Sequence, residues 1–529
     1  MDSRLKQILL TNKETDFGKK YDFAHITSEE EYANKVPLAE LDDFKVYINL
    51  TTRLGEKNII AKDDIIAYCD TLSNDGQHFE LVPCTKDHVK DLVEQYKSFL
   101  KDNISMFLFE SESKKRMYAD KAVYNSFAGV ALSELAKINL KKNSFGFLKK
   151  NVSSSPKQLL VKNEFVDNIK LRLLFGLLCK NLTQIIAVSS FAVLQMFRTL
   201  EDSWSELVQS IKLGEISERI ISDEKTRIEF NSFLKADSDR ADELQKIFEE
   251  GFDTPVATKI WPNLKRIVCN GYGSYKIYTE NCKRYTTGVN FYNSILGDST
   301  AIFGIGIQNT DNSFILSKTN SYLEFIPIEG KDNCAITYKQ IKAGQKYELA
   351  ITNNAGLYRL KSGFVLKVEK ILKGEIIVSY SYLIPDTYSF ENEKMCEAQV
   401  SDAIIFMIRT TNISIDDFAF DVDEQNKCYN IYLEPNLYAK DKIDLESIDK
   451  SLLSSLIDSG LQLANLKYAE ARLQGKINPC HVHILESQTQ LLYYDKMRII
   501  ARKNEGSFRP VHFLKNEEYK KLFLPFCKN

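Results

Sequence analysis

The 529-residue sequence lacks the features that mark several large classes of protein. It contains only 11 prolines and 22 glycines, too few for long disordered linkers. Its 10 cysteines include no Cys-x-x-Cys pair, which excludes a zinc ribbon. Acidic residues are interspersed with the basic ones, and the net charge is −2. Because nucleic-acid binding requires a basic stripe, we expect no nucleic-acid partner.

Long uninterrupted apolar runs are also missing. The most apolar segment, from Leu171 to Phe197, is interrupted by Lys180, Asn181 and Gln184, and its apolar residues recur at helical spacing. This pattern predicts buried core helices and no membrane partner. The N-terminal MDSRLKQILLTNKETD does not have the pattern of a signal peptide. Scattered cysteines in apolar runs indicate a reducing compartment, so we expect a cytoplasmic protein.

The chain is too long for one ordinary core, and its texture changes along its length. Residues 86–250 have mainly helical spacing, as in DHVKDLVEQYKSFLKDN. Residues 264–385 are rich in β-branched and aromatic residues separated by turn residues, which predicts a sheet. After 385 helical and strand patterns alternate. We therefore predict a mixed α/β protein with a large N-terminal domain (1–385) and a small α+β C-terminal domain (386–529).

Several segments resemble, in the same order, one family of enzymes. They are TNKETDFGKKYDF (11–23), KIWPNLKRIVCNGYGSY (259–275), SYLEFIPIEG (321–330), KYELAITNNAGLYRLKSGFVLKV (346–368) and ENEKMCEAQV (391–400). The family is that of the Gretchen Hagen-type acyl-acid amido synthetases, the auxin- and jasmonate-conjugating members of the adenylate-forming ligases. The resemblance implies an adenylate-forming ligase-like fold whose small domain closes over the large one.

The resemblance also implies a reaction. In the family, ATP with Mg²⁺ activates a small carboxylic acid as an acyl-adenylate, and an amine or amino acid then attacks to give an amide. Such chemistry needs a loop for the phosphates, a carboxylate for magnesium and a carboxylate for the ribose. Each of these three motifs has a counterpart in this sequence.

The phosphate loop corresponds to DTLSNDGQHFELVP (70–83). Small or polar residues whose amides could form an anion-binding nest are retained at Thr71, Ser73, Asn74 and Gly76. Asp75, however, places negative charge beside the phosphates, and Glu80 replaces the usual basic residue. A solvated β-turn is the alternative interpretation, and these two residues favour it.

The magnesium motif corresponds to RYTTGVNFYN (284–293), where Tyr285, Thr286 and Thr287 are retained. Val289 occupies the position of the metal-binding glutamate, and valine cannot ligate a hard cation. We therefore predict no metal ligand in this motif. Tyr285 either stacks on an adenine or packs in the core, and the sequence favours packing.

The ribose motif lies in GLYRLKSGFVLKV (356–368). Arg359 is retained, Lys361 replaces a second arginine, and Phe364 stands where the family has an aspartate. A phenyl ring cannot accept the two hydroxyl hydrogen bonds, and losing a charged partner costs ~1.5–3 kcal/mol. All three motifs together predict that ordinary ATP-dependent adenylation has been weakened or lost.

Two further positions correspond to catalytic elements of the family. Lys394 lies in the Glu-Lys pair of the segment that opens the C-terminal domain. Arg509, in GSFRPVHFL (506–514), stands where a lysine is usual. Arginine keeps the charge but not the compact geometry of lysine, and an exposed surface arginine is the alternative.

We interpret two clusters of polar residues as structural features rather than as metal sites. The acidic NISIDDFAFDVDE (412–424) lacks calcium-loop spacing, so a solvated acidic edge is expected. His481 and His483 share one face of a predicted strand without a third ligand nearby.

Three functions stay open. The first is an acyl-acid amido synthetase with a divergent nucleotide site. The second is a non-catalytic descendant that binds a small acid or a protein partner. The third is an acyl transferase that accepts an already activated acyl group and needs no ATP.

Overall fold

The structure is a computed structural model with a mixed α/β fold, as predicted. It describes residues 1–72, 79–100, 103–108, 113–118, 121–124, 129–131, 153–160, 168–307, 312–317, 321–329, 334–439, 448–500, 510, 512–515 and 517–528.

Helices form in the N-terminal and C-terminal parts of the chain, where helical spacing was predicted. Their bounds are α1 Ser3–Asn12, α2 Asp16–Lys20, α3 Glu29–Lys35, α4 Lys45–Arg53, α5 Lys86–Leu100, α6 Asn168–Leu178, α7 Ser190–Leu213, α8 Glu224–Asn231, α9 Ser238–Glu249, α10 Ala257–Ile260, α11 Lys276–Thr286, α12 Glu397–Thr411, α13 Lys450–Ala464, α14 Leu466–Leu473, α15 Thr489–Ile500 and α16 Glu517–Phe523.

The strands form several separate sheets. Their bounds are β1 Ile65–Leu72, β2 Phe79–Thr85, β3 Ser105–Leu108, β4 Ser113–Tyr118, β5 Lys121–Tyr124, β6 Gln184–Ser189, β7 Arg266–Asn270, β8 Asn290–Tyr292, β9 Ile295–Gly297, β10 Ile302–Gly306, β11 Phe314–Leu316, β12 Ser321–Pro327, β13 Lys346–Asn353, β14 Leu360–Leu372, β15 Glu375–Leu383, β16 Thr387–Tyr388, β17 Met395–Cys396, β18 Ile415–Asp423, β19 Cys428–Pro435, β20 His481–Leu485 and β21 Cys527–Lys528.

The described chain divides into two compact units, and each unit consists of more than one stretch of sequence. The first unit takes in residues up to 72, then 79–270 and 284–379. The second combines the short excursion 271–283 with the chain from 380 onward. The predicted domain boundary at 385/386 stays a prediction.

A parallel sheet in the first unit corrects part of the sequence analysis. Strand order is β3–β6–β7–β8, and β6 pairs in parallel with both of its neighbours. The prediction of core helices throughout Leu171–Phe197 was wrong for β6, although α6 and α7 flank it. Ile185 and Ile186 are fully buried. A buried parallel strand reads as a continuous apolar run, which spacing cannot distinguish from a buried helix segment.

A seven-stranded sheet carries the predicted ribose motif. Its order is β12–β13–β14–β15–β11–β10–β9, with antiparallel pairing of β12, β13 and β14. The turn between β13 and β14 contains Tyr358 and Arg359, and β14 contains Phe364. N-terminal helices pack against this region, because Phe17 and Tyr32 belong to the same buried cluster as Tyr358.

A four-stranded sheet with the order β18–β19–β20–β21 forms the centre of the second unit. The expectation of a solvated acidic edge at 412–424 was wrong for Asp417 and Asp421, which are 4% and 1% exposed. Strand β18 places these two side chains on one covered face, since alternate residues of a strand share a face. Asp421 accepts a hydrogen bond from the Tyr432 hydroxyl and pairs with Lys520.

Within the described ranges, no helix combines the length and the apolar character needed to cross a bilayer.

Trp261 provides a test of the packing in the first unit. Its ring is fully buried, and its indole N–H donates to the carbonyl of Gly176 over 2.8 Å. Trp261→Phe removes this hydrogen bond but leaves that carbonyl its second donor, the backbone N–H of Cys179, so we expect the free energy of unfolding to fall by about 0.5–1.5 kcal/mol. Urea unfolding followed by circular dichroism measures the change.

The matched control is Trp204→Phe, since the sequence has only 2 tryptophans. Trp204 is half-buried and packs on Phe248, so this change should cost less. An equal loss in both variants would show that the Trp261 hydrogen bond contributes nothing specific.

Candidate functional site

Arg359 of the predicted ribose motif is occupied by the protein itself. Its backbone lies in the left-handed region, with φ of 49°. Its Nε and Nη2 atoms each donate to a carboxylate oxygen of Glu324 over 3.0 Å. Its Nη1 atom donates to the carbonyls of Ala33 and Val36 over 2.8 and 2.7 Å. These bonds fasten the end of α3 to the sheet, while burial raises the pKa of Glu324 against the opposing effect of Arg359.

Tyr358, next to it, is a core residue. Its hydroxyl donates to the carbonyl of Ile60 over 2.6 Å, and its ring stacks on Phe17 with centroids 4.6 Å apart. Burial raises the pKa of the Tyr358 hydroxyl far above its usual range. Tyr358 and Arg359 therefore both stabilise the hairpin between β13 and β14.

Lys361 and Phe364 complete the ribose motif. Lys361 is half-buried and pairs with the carboxylate of Glu40. Phe364 is 8% exposed, and its ring centroid lies 4.9 Å from that of Phe303 in β10. Phe364 and Phe303 thus form an aromatic pair at the position that was predicted from the resemblance to have lost a ribose-binding aspartate; that loss stays a prediction.

A polar turn between β9 and β10, which was not predicted from the sequence, lies beside this hairpin. Asp298 accepts hydrogen bonds from the backbone N–H and the hydroxyl of Thr300. Asn353, at the end of β13, donates to the carbonyl of Thr300 over 2.9 Å. The signal was available as Gly-Asp-Ser between two apolar runs, a pattern typical of a turn.

His88 from α5 supports the same turn. Its Nε2 atom lies 3.4 Å from the carbonyl oxygen of Ser299, and the side chain is buried. Burial lowers the pKa of His88 to about 4. The imidazole is therefore neutral at pH 7 and packs under the turn without a charge.

Tyr285 and Thr286 of the predicted magnesium motif are the last two residues of α11, and Thr287 lies in the turn that follows. Tyr285 is in the last turn of α11, and its ring stacks on Phe197 with centroids 5.1 Å apart. Its hydroxyl donates to Glu201 over 2.5 Å. Thr286 is buried and Thr287 exposed. The packing interpretation of Tyr285 agrees with these contacts, whereas an adenine would have to displace Phe197.

Most residues of the predicted phosphate loop lie outside the part of the chain that the structure describes. Thr71 lies in β1, where its backbone pairs with Glu80 of β2. Ser73, Asn74 and Gly76 lie outside the described residues. Their predicted role in holding phosphates stays a prediction.

Of the two predicted catalytic residues, the structure describes only one. Lys394 is exposed, with φ of 47°, and its backbone N–H donates to Ser389. Its neighbour Glu393 is buried and accepts the hydroxyl of Tyr429, which anchors the segment. Arg509 lies outside the described residues. The structure therefore leaves the catalytic role of both residues as a prediction.

ATP and Mg²⁺ do not fit the described residues of the predicted nucleotide site. Arg359 donates four hydrogen bonds to Glu324 and to backbone carbonyls, Phe364 offers no acceptor to a ribose, and Tyr285 is packed on Phe197. Among the residues that the structure describes, no three His, Cys, Asp or Glu side chains form a group that could hold a metal ion.

The fold of the chain matches that of a solved class of proteins, the acyl acid amido synthetases. The chain superimposes on the solved structure of AtGH3.15 acyl acid amido synthetase in complex with 2,4-DB, with a TM-score of 0.82. The match covers 100% of this chain and 93% of that one at 19% identity, which shows the fold. The protein therefore has the fold of that acyl acid amido synthetase, in agreement with the fold that the resemblance predicted.

Sequence comparison gives the family. The GH3 family N-terminal domain profile matches residues 2–291, and the GH3 family central domain profile matches residues 314–375. The chain belongs to the GH3 family, which confirms the resemblance found in the sequence.

Its relatives are distant in sequence. Indole-3-acetic acid-amido synthetase GH3.10 of Arabidopsis thaliana is 26% identical over 369 residues, which are 64% of this chain and 61% of that protein. This match spans less than two thirds of that relative. The 4-substituted benzoates-glutamate ligase GH3.12 of the same plant is 22% identical over 517 residues, which are 92% of this chain and 88% of that protein.

Arg359 and Lys361 offer a direct test of which contacts hold the hairpin. Arg359→Met leaves the buried Glu324 carboxylate without its partner, and breaking such a pair costs ~3–5 kcal/mol. Lys361→Met removes a more exposed pair, for which ~1 kcal/mol or less is expected. Thermal unfolding without ligand measures both. Equal losses would contradict a structural role specific to Arg359.

His88 gives a prediction in pH. The unfolded chain takes up a proton at His88 near pH 6.5, whereas the folded protein resists it until about pH 4. Stability due to the neutral imidazole is therefore full above pH 6.5 and is lost as the pH falls toward 4, by about 3 kcal/mol in total.

The measurement compares the wild type with His88→Gln in urea unfolding from pH 7 to pH 4. Other carboxylates titrate in both proteins, so the difference between the two profiles isolates His88. We expect the variant to lose less stability on acidification. Parallel profiles would show that His88 is not buried in its neutral form.

Proposed function

We propose that the protein acts in the chemistry of its family and joins a small carboxylic acid to an amine or amino acid through an amide bond. The observation that carries the proposal is the retained family scaffold, including the hairpin of Tyr358 and Arg359 within the matched central domain. Relatives named as amido synthetases and as a benzoates-glutamate ligase support the same substrate classes.

The proposal includes a divergent nucleotide site. Phe364 packs on Phe303 where the family binds ribose, and Arg359 is held by Glu324. These contacts support a loss of ordinary nucleotide binding at the predicted residues. ATP and Mg²⁺ therefore belong to the family's reaction, and their use by this protein is doubtful. A cytoplasmic location is part of the same proposal, since all 10 cysteines lie among the described residues and none forms a disulfide bond.

The second candidate is a protein that binds a small acid or a protein partner without catalysis. The commitment of Arg359, Phe364 and Tyr285 to packing favours it. The same observation is compatible with an acyl transferase that receives its acyl group already activated. In that reaction the amine nitrogen forms a bond to the acyl carbon, and the thiol of a thioester leaves with the proton.

A set of assays on the purified full chain separates the candidates. A panel of aryl and aliphatic acids is incubated with amino acids and Mg-ATP, and pyrophosphate and amide are measured. Acid- and amine-dependent pyrophosphate supports the amido synthetase. Amide from an acyl thioester without ATP supports the transferase. Thermal stabilisation by an acid without any product supports the non-catalytic binder and overturns the first proposal.

Phe364→Asp tests the proposed loss of ribose binding. A carboxylate at this position restores a partner worth ~1.5–3 kcal/mol, so Mg-ATP affinity should rise about 10–100-fold over wild type. Isothermal titration with Mg-ATP measures the affinity, after a thermal scan has established that the variant is folded.

Phe364→Leu is the matched control, because it keeps an apolar side chain against Phe303 but adds no acceptor. It should bind Mg-ATP no better than wild type. Tight binding by the wild type, or equal gains in both variants, would sink the proposed role of Phe364.

A further inference from the structure

The hairpin of β1 and β2 in the first unit brings two cysteine side chains into contact. Cys69 lies in β1 and Cys84 in β2, and their Sγ atoms are 3.5 Å apart. Both side chains are 0% exposed. The proposed function assigns no role to either thiol, and neither belongs to the ribose or the magnesium motif.

The register of the hairpin places the two thiols on one face. Cys69 lies opposite Val82, and Cys84 lies opposite Ala67. Since alternate residues of a strand share a face, Cys69 and Cys84 are diagonal neighbours on the same side. A β-bulge between Ile65 and Ala67 adds local twist next to Cys84. The sulfur–sulfur bond of a disulfide is about 2.05 Å long, so the two sulfur atoms need to approach each other by only about 1.5 Å.

The position of β2 in its sheet makes such an approach feasible. The strand order is β2–β1–β5–β4, so β2 is an edge strand that pairs only with β1 in this sheet. An edge strand can shift or open locally at the cost of one ladder of hydrogen bonds. Cys269 provides a contrast, because it is 1% exposed in β7, which lies between β6 and β8.

The surroundings of the pair are those of an ordinary core. Cys69, Cys84, Ala67 and Val82 all belong to one buried apolar cluster. Free cysteines in such clusters usually pack as small apolar residues. This pair differs from a single buried thiol, because an oxidised sulfur at either position has a second thiol already in contact with it.

We propose that Cys69 and Cys84 form an oxidation site for hydrogen peroxide and small hydroperoxides, and that its product is a reversible disulfide. One sulfur, as thiolate, attacks a peroxide oxygen. The O–O bond breaks, a sulfenic acid forms, and the leaving hydroxide or alkoxide takes up the proton of the thiol. The second thiol attacks the sulfenic sulfur, the S–S bond forms, the S–O bond breaks, and water leaves with the second proton. Two electrons pass from the two sulfurs to the peroxide.

The disulfide would close one defined segment of the chain. Residues 70–83 lie between the two cysteines and are the segment of the predicted phosphate loop. Oxidation would therefore join the two strands from which this segment extends. Disulfides of cytosolic proteins are usually transient and redox-sensing, which agrees with a reversible site. An effect on phosphate binding would rest on the proposed function as well, whereas the oxidation site itself does not.

Peroxide treatment of the folded full chain tests the site. The reduced protein is exposed to hydrogen peroxide at low protein concentration and quenched with catalase. Free thiols are alkylated in denaturant, and digested peptides are identified by mass spectrometry. We expect a Cys69–Cys84 cross-link at about 10-fold or more over any other pair of cysteines, because the partner thiol is already in place. Dithiothreitol should restore both thiols, and Cys269 should remain a thiol throughout.

Two variants identify the reacting pair. Cys84→Ala removes one thiol, so no cross-linked peptide should contain Cys69. Cys269→Ala is the matched control, because it removes a thiol that is buried to nearly the same extent in another sheet. It should form the Cys69–Cys84 cross-link to the same extent as the wild type.

Each result supports or overturns the site. A selective cross-link that dithiothreitol reverses, and that Cys269→Ala keeps, supports it. Unchanged thiols at Cys69 and Cys84, or sulfinic acids there without a cross-link, overturn it. A cross-link that forms only after the chain is unfolded in urea, or that is accompanied by equal oxidation of Cys269, also overturns it. If Cys84→Ala does not fold, the wild-type peptide map still decides.

Discussion

The buried ion pair between Arg359 and Glu324 organises the candidate site. Two hydrogen bonds of 3.0 Å join the side chains, and the same guanidinium holds the carbonyls of Ala33 and Val36. A guanidinium that is removed from water is stable only when its donors are paired. The hairpin that carries Arg359 is therefore restricted to few conformations. The anchored Arg359 also positions Tyr358, which precedes it in the chain, and Phe364, which follows it.

This constraint gives Arg359 a structural role that does not depend on nucleotide binding. Arg359 contributes to folding through its two hydrogen bonds to Glu324, whether or not a nucleotide is bound. Phe364 faces Phe303 in β10, and an aromatic contact there stabilises the same sheet. Family membership and altered nucleotide binding are therefore compatible, and this supports the proposal of a divergent amide-forming enzyme as well as its non-catalytic alternative.

Two buried histidines show how one side chain is tuned in opposite directions. Burial beneath a turn, next to the carbonyl of Ser299, lowers the pKa of His88 to about 4. Asp417 and Glu397 raise the pKa of His512 to about 9, against the effect of burial. His88 therefore serves the first unit as a neutral ring and His512 serves the second as a cation. Neighbouring charge, rather than depth alone, sets the difference.

The sequence by itself determined the family, the mixed α/β class and most helices, because these depend on ordered local segments and on short-range spacing. The resemblance also predicted that Phe364 replaces a ribose-binding aspartate, and this stays a prediction. Only the tertiary structure decided that Gln184–Ser189 is a strand, that Tyr285 ends a helix, that Asp417 is buried and that Phe364 meets Phe303. Each of these depends on partners tens to hundreds of residues away, and local patterns carry no information about which distant side chain will cover them.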